Sequence, residues 1–113
     1  MVRQIVWSAE ALTDLHEIKG YISTQSPANA EKIVRAIERA ADNLADFPLS
    51  HRVVPEWGHD ERRETFVYKW RLMFRILPEQ LRIVGVIHGA RLLDNVDPSR
   101  SFEEAPQQDY VAS

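Results

Sequence analysis

The chain contains no cysteine, which excludes disulfide frameworks, thiol catalysis and cysteine-based zinc sites together. Glycine is scarce, with four in 113 residues, and none is arranged as a phosphate-cradling loop or around a nucleophile elbow. No stretch approaches the roughly 18 consecutive apolar residues of a membrane span. The first ten residues carry one Arg and the short apolar run Ile5 to Trp7, too little for a signal or transit peptide. A soluble, cytoplasmic protein with no membrane contact is expected. Positive charge is not in excess either: 14 Lys and Arg stand against 17 Asp and Glu, net -3, which excludes a uniformly basic nucleic-acid coat. What is present is a 44% apolar composition, enough at this length for one core that needs no covalent staple.

The small net charge conceals segregation. Residues 62–91 hold Arg62, Arg63, Lys69, Arg71, Arg75, Arg82 and Arg91 against Glu64 and Glu79, a local charge of +5. Residues 92–113 hold Arg100 against Asp94, Asp97, Glu103, Glu104 and Asp109, a local charge of -4. Six of the seven central cations are Arg, the side chain whose planar fork suits phosphate and carboxylate. A solvated strand face is the alternative reading.

Periodicity then assigns the elements. Residues 3–7 (RQIVW) read as a short strand. Ser8 reads as a helix cap, and Leu12, Leu15, Ile18 and Ile22 recur at helical spacing, predicting a helix from Ala9 to Thr24. Ser26 with Pro27 opens a second helix whose apolar stripe is Ala30, Ile33, Val34, Ile37, Ala41 and Leu44, ended by Pro48. The short link predicts an antiparallel helical hairpin. Arg52 to Glu56 reads as a short strand or extended arm and Trp57 to Glu61 as a loop. Glu64, Phe66 and Tyr68 alternate with Thr65 and Val67 as a strand. Trp70, Leu72, Phe74 and Ile76 share one face of the next, with Arg71, Met73 and Arg75 on the other. After a turn at Pro78 to Gln80, Leu81 to His88 is too apolar to be one-sided and reads as central. Residues 90–96 read as a turn or short helix, and 97–113 as a loosely held polar tail. The expectation is an α+β fold: an N-terminal strand and an antiparallel helical hairpin packed on an antiparallel β-sheet meander, within one domain at 1–96.

The string WSxEAxxDLxEIxxYI (Trp7 to Ile22), the FP pair (Phe47, Pro48), RVVPE (Arg52 to Glu56), RE (Arg63, Glu64), WRLMFRI (Trp70 to Ile76) and VIHGAR (Val86 to Arg91) together resemble the RelE/ParE superfamily of toxins from bacterial type II toxin–antitoxin modules. The resemblance covers about residues 4–93. It implies a growth-inhibiting, plasmid-stabilising type of toxin, neutralised by a cognate antitoxin that wraps a segment around it and through which it oligomerises. RelE-like members cut ribosome-associated mRNA without metal, and ParE-like members are associated with inhibition of DNA gyrase. The first helix and the RE pair look closer to the ParE-like branch.

Metal-free RNA cleavage requires a base, cations for the phosphorane and an acid. By resemblance, the ribonuclease alternative would use Glu56 as base, Arg71 and Arg91 as phosphate stabilisers and His88 as acid. The chain departs from that branch at Leu92, Leu93 and Asp94, where several ribonuclease members carry Tyr or a His-Tyr pair. Each residue also has a plainer reading. Glu56 would pair with Arg63 or Arg71, and His88 would be a hydrogen-bonded strand end. Arg71 would bind a partner and Arg75 form a structural ion pair, on a face meeting either an acidic antitoxin segment or a helical hairpin carrying Glu10, Asp14 and Glu17. Trp70 reads as core, while Arg91 and Trp57 join Arg71 as partner-binding candidates. No cofactor is expected. His16-Glu17 begins like a zinc-protease motif but Gly20 replaces the second His, and His51 and His59 lack a further ligand at a recognised spacing, so no metal is expected.

Overall fold

A computed structural model of the chain describes residues 3–55 and 58–89, together with the backbone of 110–111. Glu56, Trp57, Arg91, the expected turn or helix at 90–96 and most of the tail lie outside the described residues.

Strand β1 (Gln4–Trp7) runs into helix α1 (Ala9–Ser23), and Ser8 between them is the cap, its hydroxyl accepting from the Ala11 amide at 3.1 Å. Helix α2 (Pro27–Asn43) starts on Ser26, which accepts from the Asn29 amide at 3.2 Å, with Pro27 in the first turn where its missing N–H is no loss. It stops before Pro48: Leu44 is its C-cap, and Phe47 ahead of the proline ring has left the helical region, at φ -142° and ψ 68°. A 3₁₀ turn at Pro48–Ser50 leads to β2 (Arg52–Val53), followed by β3 (Arg62–Val67), β4 (Trp70–Ile76) and β5 (Gln80–His88). The expected meander is present, β3–β4–β5, each pair antiparallel. Tyr68 is not in a strand. It occupies the two-residue β3–β4 turn at φ 54°, and Val67 pairs with Trp70 across it.

The sheet order is β2-β3-β4-β5-β1-β6, with β1 parallel to β5 and a last strand β6 (Tyr110–Val111) antiparallel to β1. Strand β5 is therefore interior, as its near-continuous apolar sequence predicted. Part of the expected tail thus belongs to the sheet: Tyr110–Val111 pairs with the outer edge of β1, an edge that otherwise presents unpaired backbone groups.

Both helices pack on one face of the sheet. There Ile37 and Ala41 of α2 and Leu15 and Ile18 of α1 meet Trp7, Leu72, Phe74, Leu81, Ile83 and Val86. The register slips between Met73 and Phe74, which pair with Gly85 and Ile83, so Val84 is an inserted bulge residue. The opposite face carries Met73, Val84 and Ile87, which form a second apolar cluster with Val54. By strand alternation Arg71, Arg75 and Arg82 share this second face. The arginines and the helical hairpin with Glu10, Asp14 and Glu17 therefore lie on opposite sides of the sheet, and the hairpin is not what those arginines meet. Asp14 instead accepts from the backbone N–H of Val86 at 3.0 Å, satisfying a β5 amide beyond the end of β1.

Candidate functional site

Glu64 organises the second face. It stands on β3 opposite Met73 and opposite Arg52 of β2, so that Arg71 on β4 is its diagonal neighbour. Its carboxylate accepts from Arg71 Nε at 2.7 Å, lies 2.5 Å from Arg71 Nη2, and also accepts from Arg52 Nε. Glu64 and Arg71 are 1% and 3% exposed, whereas Arg52 is mostly in water and lies over the Phe66 ring, 5.5 Å from its centroid. The carboxylate that Arg71 meets here is Glu64; Glu56, the other candidate for that role, lies outside the described residues.

The preceding residue, Arg63, points the other way along the strand alternation and fastens the arm. Its guanidinium donates to the carbonyls of Leu49, His51 and Asp60 at 3.1, 2.8 and 2.7 Å and to the Asp60 carboxylate at 2.7 Å. The RE pair thus has two structural roles set by the period of two: one side chain holds residues 49–51, the other neutralises Arg71. His51, held in that arm, sets its ring edge-on to Phe74 at 5.7 Å. Burial, and then the Arg63 charge, lower its pKa below the usual imidazole value. Because the folded protein holds His51 neutral more strongly than the unfolded chain does, protons favour unfolding as pH falls through the ordinary imidazole value of about 6.5. Stability is therefore expected to drop on acidification through that window. The drop should be smaller in His51→Gln, as read from denaturant midpoints of both proteins between neutral and mildly acidic pH; equal drops would refute this role for His51.

Beyond the Glu64 cluster, Arg62, Arg75 and Arg82 stand directly opposite one another across β3, β4 and β5. Like charges in such a row repel. Among the described residues Arg75 has the Glu61 carboxylate at 3.9 Å, and its Nε is buried without a hydrogen-bond acceptor. The expected structural ion pair of Arg75 is present, and it is a long one. This row is a functional candidate that sequence reasoning did not single out. Arg75 pairing with both Arg62 and Arg82 depends on strand register, which charge counting along the chain cannot reveal.

His88 lies elsewhere. It pairs in register with Trp70, and Arg71 pairs with Ile87, so successive alternation sends His88 to the helix side and Arg71 to the second face. The His88 ring is exposed and edge-on to Trp70 at 5.4 Å. Arg71 and His88, expected to work together in RNA cleavage, are thus on opposite faces of the sheet. Trp70 is buried with Leu72 as expected. Among the described residues no group of three or more His, Asp or Glu comes together as a metal site, and no helix is long and apolar enough to cross a membrane.

Gly89 closes the tip. Its N–H donates to the Lys69 carbonyl at 2.7 Å, and a Cβ there would stand 3.0 Å from that oxygen and 2.9 Å from Phe66 Cε2. The glycine of the HGAR stretch thus permits close backbone approach. Gly89→Ala is expected to destabilise the protein by about 1–3 kcal/mol through overpacking, measurable as a lowered denaturant midpoint.

The fold places a helical hairpin on one face of a mixed sheet and buried arginines on the other, the architecture of a small α+β toxin. The family model described as "ParE toxin of type II toxin-antitoxin system, parDE" matches residues 5–93, and the chain belongs to this family. Toxin RelE2 of Caulobacter vibrioides is 32% identical over 89 residues, covering 79% of this chain and 98% of that protein. Putative toxin Y4kP of Sinorhizobium fredii is 40% identical over 50 residues, 44% of this chain and 52% of that protein. The fold is also that of a solved chain from the chromosomal ParDE TA system of P. aeruginosa, with a TM-score of 0.65 at 19% identity over 77% of this chain and 96% of that one. This protein is a toxin of a type II toxin–antitoxin system, with a cognate antitoxin as its partner.

Proposed function

We propose that this toxin arrests bacterial growth in the cytoplasm by binding a protein target, DNA gyrase, in the ParE-like manner, and does not cut mRNA. The observation that carries the reading is the separation of Arg71 and His88. Arg71 is buried on the Glu64 carboxylate on one face, and His88 emerges on the other. A phosphate stabiliser must be able to approach the scissile phosphate along with the acid and the base, and this pair does not converge. The charge of the arginine row suits an acidic segment of the antitoxin, which would meet Arg62 and Arg75, the more accessible members, while Arg82 is 2% exposed and Arg71 is held on Glu64 beneath the same face; Arg91 and Trp57 are further candidate contacts. Neutralisation through such a segment would also build the toxin–antitoxin oligomer.

The test is a pair of assays on the purified toxin. Gyrase supercoiling is expected to be inhibited while RNA stays intact at low salt, with and without ribosomes. Cleavage of RNA that is lost in His88→Ala and Arg71→Ala would instead establish the ribonuclease alternative, in which Glu56 and Arg91 complete the set. Induced expression without antitoxin should stop growth, and unaffected growth would show that toxicity has decayed. Antitoxin should raise the melting temperature by mass action.

A further inference from the structure

The two edges of the sheet are protected in different ways. A bare edge strand invites pairing with another chain, and proteins blunt it with shortness, charge, proline, a bulge or a cover. The β2 edge uses the first two, being two residues long with Arg52 mostly in water. Strand β1, Gln-Ile-Val-Trp, is uncharged, has no proline, pairs with β5 without a register shift and is rich in residues that favour strands. Its one protection among the described residues is the cover, Tyr110–Val111.

The hydrogen-bond pattern defines what that cover occupies. The amides of Gln4 and Ser8 donate inward to the Glu79 and Ile83 carbonyls at 3.2 and 3.0 Å, so by alternation the N–H and C=O groups of Ile5 and Trp7 point outward. In the observed register Trp7 and Tyr110 form the hydrogen-bonded pair, and Val6 and Val111 the non-bonded one. The side chains of Ile5, Val6 and Trp7 are buried, so the edge offers main-chain groups, which an extended backbone can satisfy. A ladder of two residues gains little against the entropy of closing the chain between β5 and β6, and the cover is readily exchanged. It also lies beyond residues 5–93, which the family model matches, so it is no part of what the family shares.

We propose that the outer edge of β1 is a self-pairing surface and that the C-terminal strand is the cap that keeps two copies of this chain apart. The occupant is β1 of a second copy, running antiparallel about a two-fold axis at Val6. That axis sets Ile5 of each copy opposite Trp7 of the other, so the outward groups meet in two hydrogen-bonded pairs where the described cap makes one. Helix α1 packs mainly on β5, one strand further in, and is set back from the axis. Because both copies must be uncapped, the apparent association falls with the square of the uncapped fraction. The inference concerns the toxin by itself and does not depend on its target.

The test compares the full chain with Tyr110→Pro and Val111→Pro, without antitoxin. Proline at 110 removes the donor that faces Trp7, whereas proline at 111 removes an N–H that faces away from β1 and is tolerated there. Sedimentation over a concentration series should show the parent and Val111→Pro monomeric where Tyr110→Pro is dimeric, with a dimer dissociation constant lower by at least about tenfold. In that dimer the Ile5 and Trp7 amides should be protected from hydrogen exchange. An excess of the peptide Ac-Gln-Asp-Tyr-Val-Ala-Ser-NH₂, the chain's own residues 108–113, should return it to monomer. Tyr110→Gly weakens the strand without removing a donor and should act in the same direction to a smaller extent, so the result does not hang on the folding of one variant. Monomeric Tyr110→Pro and Tyr110→Gly, equal association of Val111→Pro, a dimer whose Ile5 and Trp7 amides exchange freely, or a peptide without effect would each overturn the proposal.

Discussion

Glu64→Gln is expected to destabilise the protein by about 3–5 kcal/mol, the cost of breaking a buried ion pair by removing one partner. The substitution keeps the shape of the side chain but strips the 3%-exposed Arg71 of the Glu64 carboxylate, 2.5 Å from its Nη2. Arg52 contributes little to the loss, because its guanidinium is already largely in water and an exposed pair is worth about 0–1 kcal/mol. A double replacement, Glu64→Leu with Arg71→Met, removes both charges and should lie much nearer the parent protein, since apolar groups of similar volume can replace a buried pair at little cost. The cycle formed with the single variants should show a coupling well above the few tenths of a kcal/mol seen for independent sites. Denaturant midpoints measure it, and a loss below about 1 kcal/mol for Glu64→Gln would show that the pair behaves as a surface one.

Phe74→Ala is expected to cost a similar amount, about 3–5 kcal/mol, by a different mechanism. Phe74 is fully buried where the sheet meets the helical hairpin, and it also packs edge-on against His51 of the arm. Its removal leaves a cavity between elements already held by their own hydrogen bonds, so the site can collapse only in part. Phe74→Leu, which refills most of the space, should lose markedly less. Equal losses for the two variants would point to a specific aromatic contact as the origin of the effect. Against a typical total stability of about 5–15 kcal/mol, either Phe74→Ala or Glu64→Gln removes a large share. An inactive variant at these positions must therefore be checked for folding before a functional role is assigned to it.

That precaution bears on Arg71. A loss of toxicity in Arg71→Ala would be ambiguous, because Arg71 helps hold β3 to β4 through Glu64. Arg75 is the more informative position. It shares the same face, its carboxylate contact with Glu61 is long at 3.9 Å, and its side chain is more accessible than that of Arg71. Glu17, exposed on the helix side, can be altered without breaking a buried pair among the described residues.

Much of the architecture was legible in the residues themselves because its signals are local. Ser8 and Ser26 with Pro27 mark helix starts through hydrogen bonds made within three residues, and the spacing of Leu15, Ile18, Ile37 and Ala41 marks the buried stripes. The alternation around Trp70, Leu72 and Phe74 separated the faces of β4 correctly. Tyr68 misled because a bulky residue at positive φ in a hairpin turn carries no glycine or asparagine signal. A two-residue strand such as Tyr110–Val111 is too short to show a period, so its residues alone carry no strand signal. Sequence alone thus determined the element order, the helical hairpin, the interior position of β5 and the basic character of the central segment. Only the tertiary structure decided that the helices and the arginines take opposite faces, that Glu64 neutralises Arg71, that Arg62, Arg75 and Arg82 form a row, and that His88 lies away from Arg71. Each of these depends on strand register and on the bulge at Val84, and one residue of slip moves every side chain to the other face.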